Sequence, residues 1–208
     1  MNKPQAFFSC LLFFSCCSAE AQSFHKKELD FNLGVGAENT FLNDPGTTIR
    51  IPMSINICYG ISDVISTGLY YCHSEAAISY NRIMAYPFPY AFGPYLHYQE
   101  IHRWSFNIAG VRVAYYFSKL IPSKHFDFYA GLMPGYLFSQ ETIFNQEANS
   151  NPIPDANASR QGFICAGFLG CRYNLNERAG LYAEGGYGIT YMNIGINIHL
   201  GSLSSSSN

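Results

Sequence analysis

From Glu28 onward, apolar and polar residues alternate with a period of two, and turn-forming residues cut the alternation into eight lengths. The first, "ELDFNLGVGA" at 28–37, sets Leu29, Phe31, Leu33 and Val35 on one face and Asp30, Asn32, Gly34 and Gly36 on the other. The second, about 49–59, sets Ile49, Ile51, Met53, Ile55 and Ile57 against Arg50, Ser54, Asn56 and Cys58. After a tight connection at "GISD", the third (64–74) opposes Ile65, Thr67, Leu69 and Tyr71 to Ser66, Gly68 and Tyr70. A three-residue turn there would set Ile57 against Thr67 and Ile55 against Leu69, so the apolar faces coincide. The fourth (103–117) carries Val111, Val113, Tyr115 and Phe117 opposite Gly110, Arg112 and Ala114. The fifth (125–139) carries Phe126, Phe128, Ala130 and Leu132 opposite Asp127, Tyr129 and Gly131. Arg172 shares a face with Ile164, Ala166, Phe168 and Gly170 in the sixth (161–173), and Tyr182 and Glu184 oppose Leu181 and Ala183 in the seventh (179–187). The eighth alternates Ile194, Ile196, Ile198 and Leu200 with Asn193, Gly195, Asn197 and His199.

The connections are unequal. Those after the second, fourth, sixth and seventh strands are short, the one after the first is intermediate, and residues 75–102 and 140–160 form long loops into which the flanking strands could extend. Short turns thus gather at one end with both termini. The fold class this predicts is all-β: an eight-stranded antiparallel up-and-down transmembrane barrel. It must close on itself, because hydrocarbon offers an open strand edge no hydrogen-bond partners.

Composition decides which face meets what. Charged residues are 12% of the chain, about half the roughly 25% usual in soluble domains, while aromatics reach 16%. Lysine is absent from every strand core, so the sparse polar face suits a narrow interior better than a solvated exterior. Asp30, Arg112, Asp127, Arg172 and Glu184 are then expected to neutralise one another inside, as a structural charge network. Eight strands leave room for side chains and none for a wide pore. Tyr59, Tyr115, Phe117 and Tyr173, near strand ends, suit an interfacial girdle.

The first 21 residues read as a cleaved secretory signal: Lys3, an apolar run from Ala6 to Cys17, and "AEA" ending at Ala21. That leaves a barrel over 22–200 and a flexible Ser-rich tail over 201–208. Cys58, Cys72, Cys165 and Cys171 fall inside strands with no disulfide or zinc spacing, and are expected to be small buried packing residues. A net charge of −2, with basic residues scattered apart from Lys26 and Lys27, gives no nucleic-acid footprint.

Taken together, and especially in "FDFYAGLMPGYLF" and "GLYAEGGYGITYMNIGINIHL", the strands resemble the small outer-membrane β-barrel proteins of the OmpA/OmpX type, in the form common in Bacteroidota. The resemblance covers about residues 24–200 and implies a fold and a location in the outer membrane of a Gram-negative bacterium. It is carried by glycine-aromatic phrasing and not by a catalytic motif. The last strand ends at His199 and Leu200 and lacks the terminal aromatic such barrels usually carry.

Candidate chemistry is thin. "CHSE" puts His73, Ser74 and Glu75 together, but neighbours on a strand point to opposite faces, so His73 and Ser74 should not meet. His97, Glu100 and His102 lie in the first long loop without a fixed metal-ligand scaffold. The expectation is a non-enzymatic monomer with no cofactor and no metal, surrounded by membrane lipid, whose loops 75–102 and 140–160 contact an extracellular partner. Two alternatives are an outer-leaflet enzyme acting on lipid or peptide, and a soluble secreted lipocalin-like ligand-binding barrel.

Overall fold

The computed structural model describes residues 26–37, 40, 47–84, 96–117, 120–121, 123, 125–145, 159–188 and 190–202. The signal-like segment, residues 203–208, and the centres of both long connections lie outside them. Eight strands are present: β1 (Glu28–Gly36), β2 (Thr47–Ser62), β3 (Ile65–Met84), β4 (Leu96–Tyr116), β5 (Phe126–Asn145), β6 (Arg160–Asn174), β7 (Ala179–Tyr187) and β8 (Met192–Ser202). Each pairs antiparallel with the next, and β8 pairs with β1 from Asp30↔His199 to Gly36↔Asn193, closing the barrel. No strand edge is left over in this ring, which is the solution a half-apolar sheet needs wherever water cannot serve its backbone.

Three local readings differ from the sequence pattern. The segments 75–102 and 140–160 are not loops throughout: β3 and β4 stay paired from Glu75↔Ser105 to Met84↔Leu96, and β5 continues beside β4 to Glu100↔Asn145. Polar residues occupy both faces of "ISYNRIM" and "LHYQEIH", so the hydrophobic alternation fades while the backbone ladder, which does not depend on it, persists. The β2–β3 turn consists of Asp63 and Val64 with β2 running on to Ser62, which sets Ile57 against Leu69 and Ile55 against Tyr71. The difference is two residues, so every side chain keeps its face. β8 runs through Gly201 to Ser202, which pairs with Glu28.

The interior has two layers. Toward the short turns it is polar: Asp30, Asn32, Asp127, Arg172, Asn174 and Asn197 are all buried. Toward the long connections it is apolar, a cluster of Tyr70, Cys72, Phe106, Ile108 and Leu137 with Trp104, Met133 and Ile164 packed on it. Of this layer, Tyr70 and Ile164 stand on the faces that the alternation groups with the polar residues. Glycines make the packing possible: a Cβ on Gly135 would lie 2.4 Å from the Tyr70 hydroxyl, and one on Gly170 would lie 2.3 Å from the Tyr129 ring.

The exterior is the reverse of a soluble surface. Every strand turns large apolar side chains outward, among them Leu33, Ile55, Leu69, Val111, Leu132, Leu169, Leu181 and Ile196, each more than two-fifths exposed. Aromatic rings border this band at both ends. Near the short turns, Tyr115 meets Phe117 at 5.4 Å between ring centroids and Phe126 meets Tyr173 at 4.9 Å. Toward the other end, Tyr136 meets Phe138 at 4.8 Å and Phe163 at 5.1 Å, and Tyr187 meets Tyr191 at 6.3 Å. The rim is oblique as well: β7 stops at Tyr187 and β8 begins at Met192, while β3, β4 and β5 run on well past them. On the low side, buried Thr40 donates a hydrogen bond to the Gly188 carbonyl, tying the β1–β2 connection to the β7–β8 connection.

Candidate functional site

Alternation turns Asp30 on β1, Arg112 on β4, Asp127 on β5, Arg172 on β6 and Glu184 on β7 inward, and the barrel's circumference decides which of them meet. Arg112 on β4 reaches across to Glu184 on β7, donating from one guanidinium nitrogen to Oε2 at 3.2 Å and from the other to Oε1. Tyr129 donates its hydroxyl to Glu184 Oε1 at 2.9 Å, and the Phe168 ring lies 3.9 Å from the Arg112 guanidinium carbon, a cation–π stack. Arg172 on β6 pairs with Asp30 on β1 at 2.9 Å and donates to the Tyr116 hydroxyl at 3.2 Å. His199 Nδ1 lies 2.6 Å from the other Asp30 oxygen. Asp127 stands opposite Arg172 in the β5–β6 register and accepts from Asn174 at 3.0 Å. All five sequence-picked residues are therefore inside, in two ion pairs that cross the interior with Asp127 beside the second.

His199 and Tyr129 were not singled out beforehand. His199 sits on the polar face of β8, and its inward alternation was the available signal. Tyr129 carried no signal beyond its face, because tyrosine is common on both sides of this wall.

The Arg112–Glu184 pair compensates two buried charges, while Nε and Nη1 of Arg172 are buried without a hydrogen-bond partner. An interior cavity of about 40 Å³ remains above the Arg112–Glu184 pair, bordered by Tyr70, Met133, Phe168 and Asn193. A single water needs roughly 10–15 Å³ of such space, so this one holds very few waters. Glu28, Asp30 and His199 place potential ligand atoms within 4.8 Å of one another. Within this group, Arg172 pairs with one Asp30 oxygen and His199 Nδ1 with the other.

The other candidates separate. Ser74 is buried inside at 1% exposure, while His73 and Glu75 lie on the outer face, where His73 Nε2 is 3.3 Å from Glu75 Oε1. The wall stands between the hydroxyl and the imidazole, so this triplet has no nucleophile–base geometry. His102 comes between two carboxylates: Nδ1 is 2.5 Å from Glu141 and Nε2 is 3.2 Å from Glu100. Nδ1 is hydrogen-bonded to Glu141, whereas Nε2 makes no hydrogen bond. His97 lies on β4 opposite Ile83, with its side chain outside the described residues.

Two expectations are corrected here. Cys58 and Cys72 are buried, but Cys165 is exposed and Cys171 half-buried, because odd-numbered positions of β6 face outward. Arg50, grouped by alternation with Ser54 and Asn56, is instead on the outer face, its side chain 58% exposed and 3.3 Å from Glu75. The β2–β3 ladder slips on both sides of Arg50, and each slip shifts the alternation.

The chain matches no protein-family profile and no curated protein by sequence. Among solved structures, it is similar to the N-terminal β-barrel domain of Pseudomonas aeruginosa OprF, at 13% identity and a TM-score of 0.49, over 84% of this chain and 98% of that one. It is also similar to Ail, the attachment invasion locus protein of Yersinia pestis, at 9% identity and a TM-score of 0.39, over 83% of this chain and 93% of that one. One of the two Ail structures is a complex with the heparin analogue sucrose octasulfate. At such identities the assignment of this chain as an eight-stranded antiparallel barrel rests on its own ladders, which close β8 on β1.

Proposed function

We propose that the protein is an integral barrel of a Gram-negative outer membrane, monomeric and plugged by its own side chains, that acts at the cell surface through the strands rising above its rim. The observation that carries the membrane reading is the continuous apolar exterior, present on all eight strands and bordered by aromatic rings at both ends. Such a wall in water would be an exposed hydrophobic surface far beyond what monomeric soluble proteins carry. In a bilayer it is the expected apolar band between two girdles.

The surface role follows from the oblique rim. β3 and β4 continue from Ile78↔His102 to Met84↔Leu96, beyond the last β2–β3 pair at Thr47↔Ala77. At about 3.3 Å per residue that is roughly 20 Å of additional strand. Its exposed side chains include polar Ser79, Asn81 and Gln99, with Gln99 donating to Ser79 at 2.6 Å and Arg103 exposed nearby. Polar residues raised on a rigid ribbon, at the end remote from the termini, are placed to meet an extracellular macromolecule. The segments 75–102 and 140–160 are therefore the contact region in this reading.

Membrane fractionation combined with heat-modifiable gel mobility tests the proposal. The expected result is a protein that sediments with membranes, requires detergent for extraction and migrates faster before boiling than after. Recovery of the folded chain in a detergent-free supernatant would instead favour a soluble ligand-binding barrel.

A further inference from the structure

Glu100 and His102 fall in a stretch where hydrophobic alternation fades, yet a ladder fixes them on both sides. Glu100 stands opposite Tyr80 on β3 and Asn145 on β5, and His102 stands opposite Ile78 and Ile143. Positions two apart on a strand share a face. That face is the inner one, because the next residues along it are Trp104 and buried Phe106, which belong to the apolar interior layer. A rigid scaffold is therefore in place for a Glu-x-His pair.

The imidazole of His102 is set from one side. Glu141 on β5 accepts from Nδ1–H at 2.5 Å, and the Tyr80 ring stands nearly perpendicular to the imidazole at 5.1 Å between centroids. A carboxylate on Nδ1 holds the ring proton there and leaves the lone pair on Nε2. Nε2 is buried and makes no hydrogen bond, although a Glu100 oxygen lies only 3.2 Å away. At that separation what is missing is direction: the oxygen stands off the axis along which a ring N–H would point. A doubly protonated ring would leave its second N–H unmet. A metal ion requires the opposite arrangement. It lies on the Nε2 axis at about 2.0–2.1 Å, and a carboxylate oxygen about 2.0–2.2 Å from a tetrahedral ion then falls roughly 3.3–3.5 Å from the nitrogen and off that axis. The observed 3.2 Å is close to this range.

We propose that Glu100 and His102 are two ligands of a divalent transition-metal ion of the zinc type, held on the inner face of the raised ribbon, with Glu141 as the carboxylate that orients the imidazole. A ligating histidine almost always gives its other N–H to such a partner. Imidazole beside carboxylate selects zinc over calcium and magnesium, which take oxygen ligands. Charge favours the same occupant: two carboxylates beside a neutral ring carry two negative charges, which a divalent ion offsets. Glu100 and His102 touch the ion, Glu141 positions His102, and the remaining coordination positions are open to water or to a donor from outside. The site does not depend on the membrane reading, since the β3–β4–β5 ladder places these residues whatever surrounds the barrel below.

The test is isothermal titration of the metal-stripped full chain, folded in detergent micelles, with zinc and separately with calcium. The parent should take up a zinc equivalent that calcium neither fills nor displaces. His102→Gln should remove that equivalent, and Glu100→Gln should weaken it by roughly tenfold or more, as loss of one of two protein ligands requires. Glu141→Gln keeps an acceptor for Nδ1–H without its charge, and should retain the equivalent at an affinity lower by about 10–100-fold. Heat-modifiable mobility confirms that each variant is folded, and any one that is not leaves the other two to decide. Absence of the zinc equivalent from the parent, equal uptake of calcium, an equivalent that survives His102→Gln, or one that Glu100→Gln does not weaken would each overturn the site and leave His102 simply held between two carboxylates. Unchanged zinc affinity in Glu141→Gln, with a shifted unfolding midpoint of the metal-free barrel, would overturn the positioning role given to Glu141.

Discussion

Arg112 and Glu184 lie three strands apart around the wall yet bond directly, so that β4 and β7 are fastened through the centre of the barrel. Both side chains are at least nine-tenths buried, at 5% and 7% exposure. Removing one partner leaves the other buried without its counter-charge. Arg112→Met alone should cost about 3–5 kcal/mol, and Arg112→Met with Glu184→Leu should recover most of that loss, because apolar replacement of a buried pair is often neutral. Urea unfolding of the single and double variants in lipid vesicles, followed by gel mobility, measures the difference.

Glycine at position 131 is required by close approach. A Cβ there would sit 2.2 Å from the Val113 carbonyl oxygen and 2.4 Å from the Phe168 ring that covers Arg112. Gly131→Ala should therefore destabilise by about 1–3 kcal/mol, the usual penalty of overpacking. Gly162→Ala, where an added Cβ meets nothing within 4 Å, should stay within about 0.5 kcal/mol of the parent. Equal unfolding midpoints for the two would contradict the packing described.

Thiol accessibility reports directly on which face is which. In vesicles, Cys165 should react with a lipid-soluble maleimide, while Cys58 and Cys72, both buried at 2% exposure, should react only after unfolding. Labelling of Cys58 in the folded barrel at the rate of Cys165 would place the faces the other way round.

The raised ribbon should be dispensable for the barrel beneath it. Ser79 and Ile101 are opposite one another, so residues 80–100 can be replaced by Asn-Gly, a pair suited to a two-residue hairpin. The shortened chain should keep heat-modifiable mobility and lose binding to whatever surface the parent recognises. Loss of the folded barrel would remove the argument for a display role.

Much of this architecture was legible because period-two alternation is strong wherever one face is apolar and the other is not. Asp30, Arg112, Asp127, Arg172 and Glu184 stood out as the charges on otherwise small or aromatic faces, and all five are inside. Their partners were not legible: whether Arg112 finds Glu184 or Asp127 depends on stagger and circumference, which no local pattern encodes. The pattern failed where both faces share a character. Leu137 lies between Tyr136 and Phe138, and Phe106 and Ile108 flank polar Asn107, so residue types alone do not mark these three as facing inward. Above this layer polar residues fall at both parities, so the alternation that would mark the continuation of β3 and β4 is missing. Arg50 failed for another reason, since a slipped register leaves no mark in the residue types themselves.

The seam between β1 and β8 joins residues as far apart in the chain as Asp30 and His199, a separation of 169 positions. The first strand synthesised therefore waits for the last before its outer ladder is complete, and no prefix of the polypeptide can finish the ring. Assembly has to follow translation, with the growing chain kept from pairing elsewhere in the meantime. A product cut short by a premature stop would keep two raw edges, and quality-control proteases could recognise it by that defect alone.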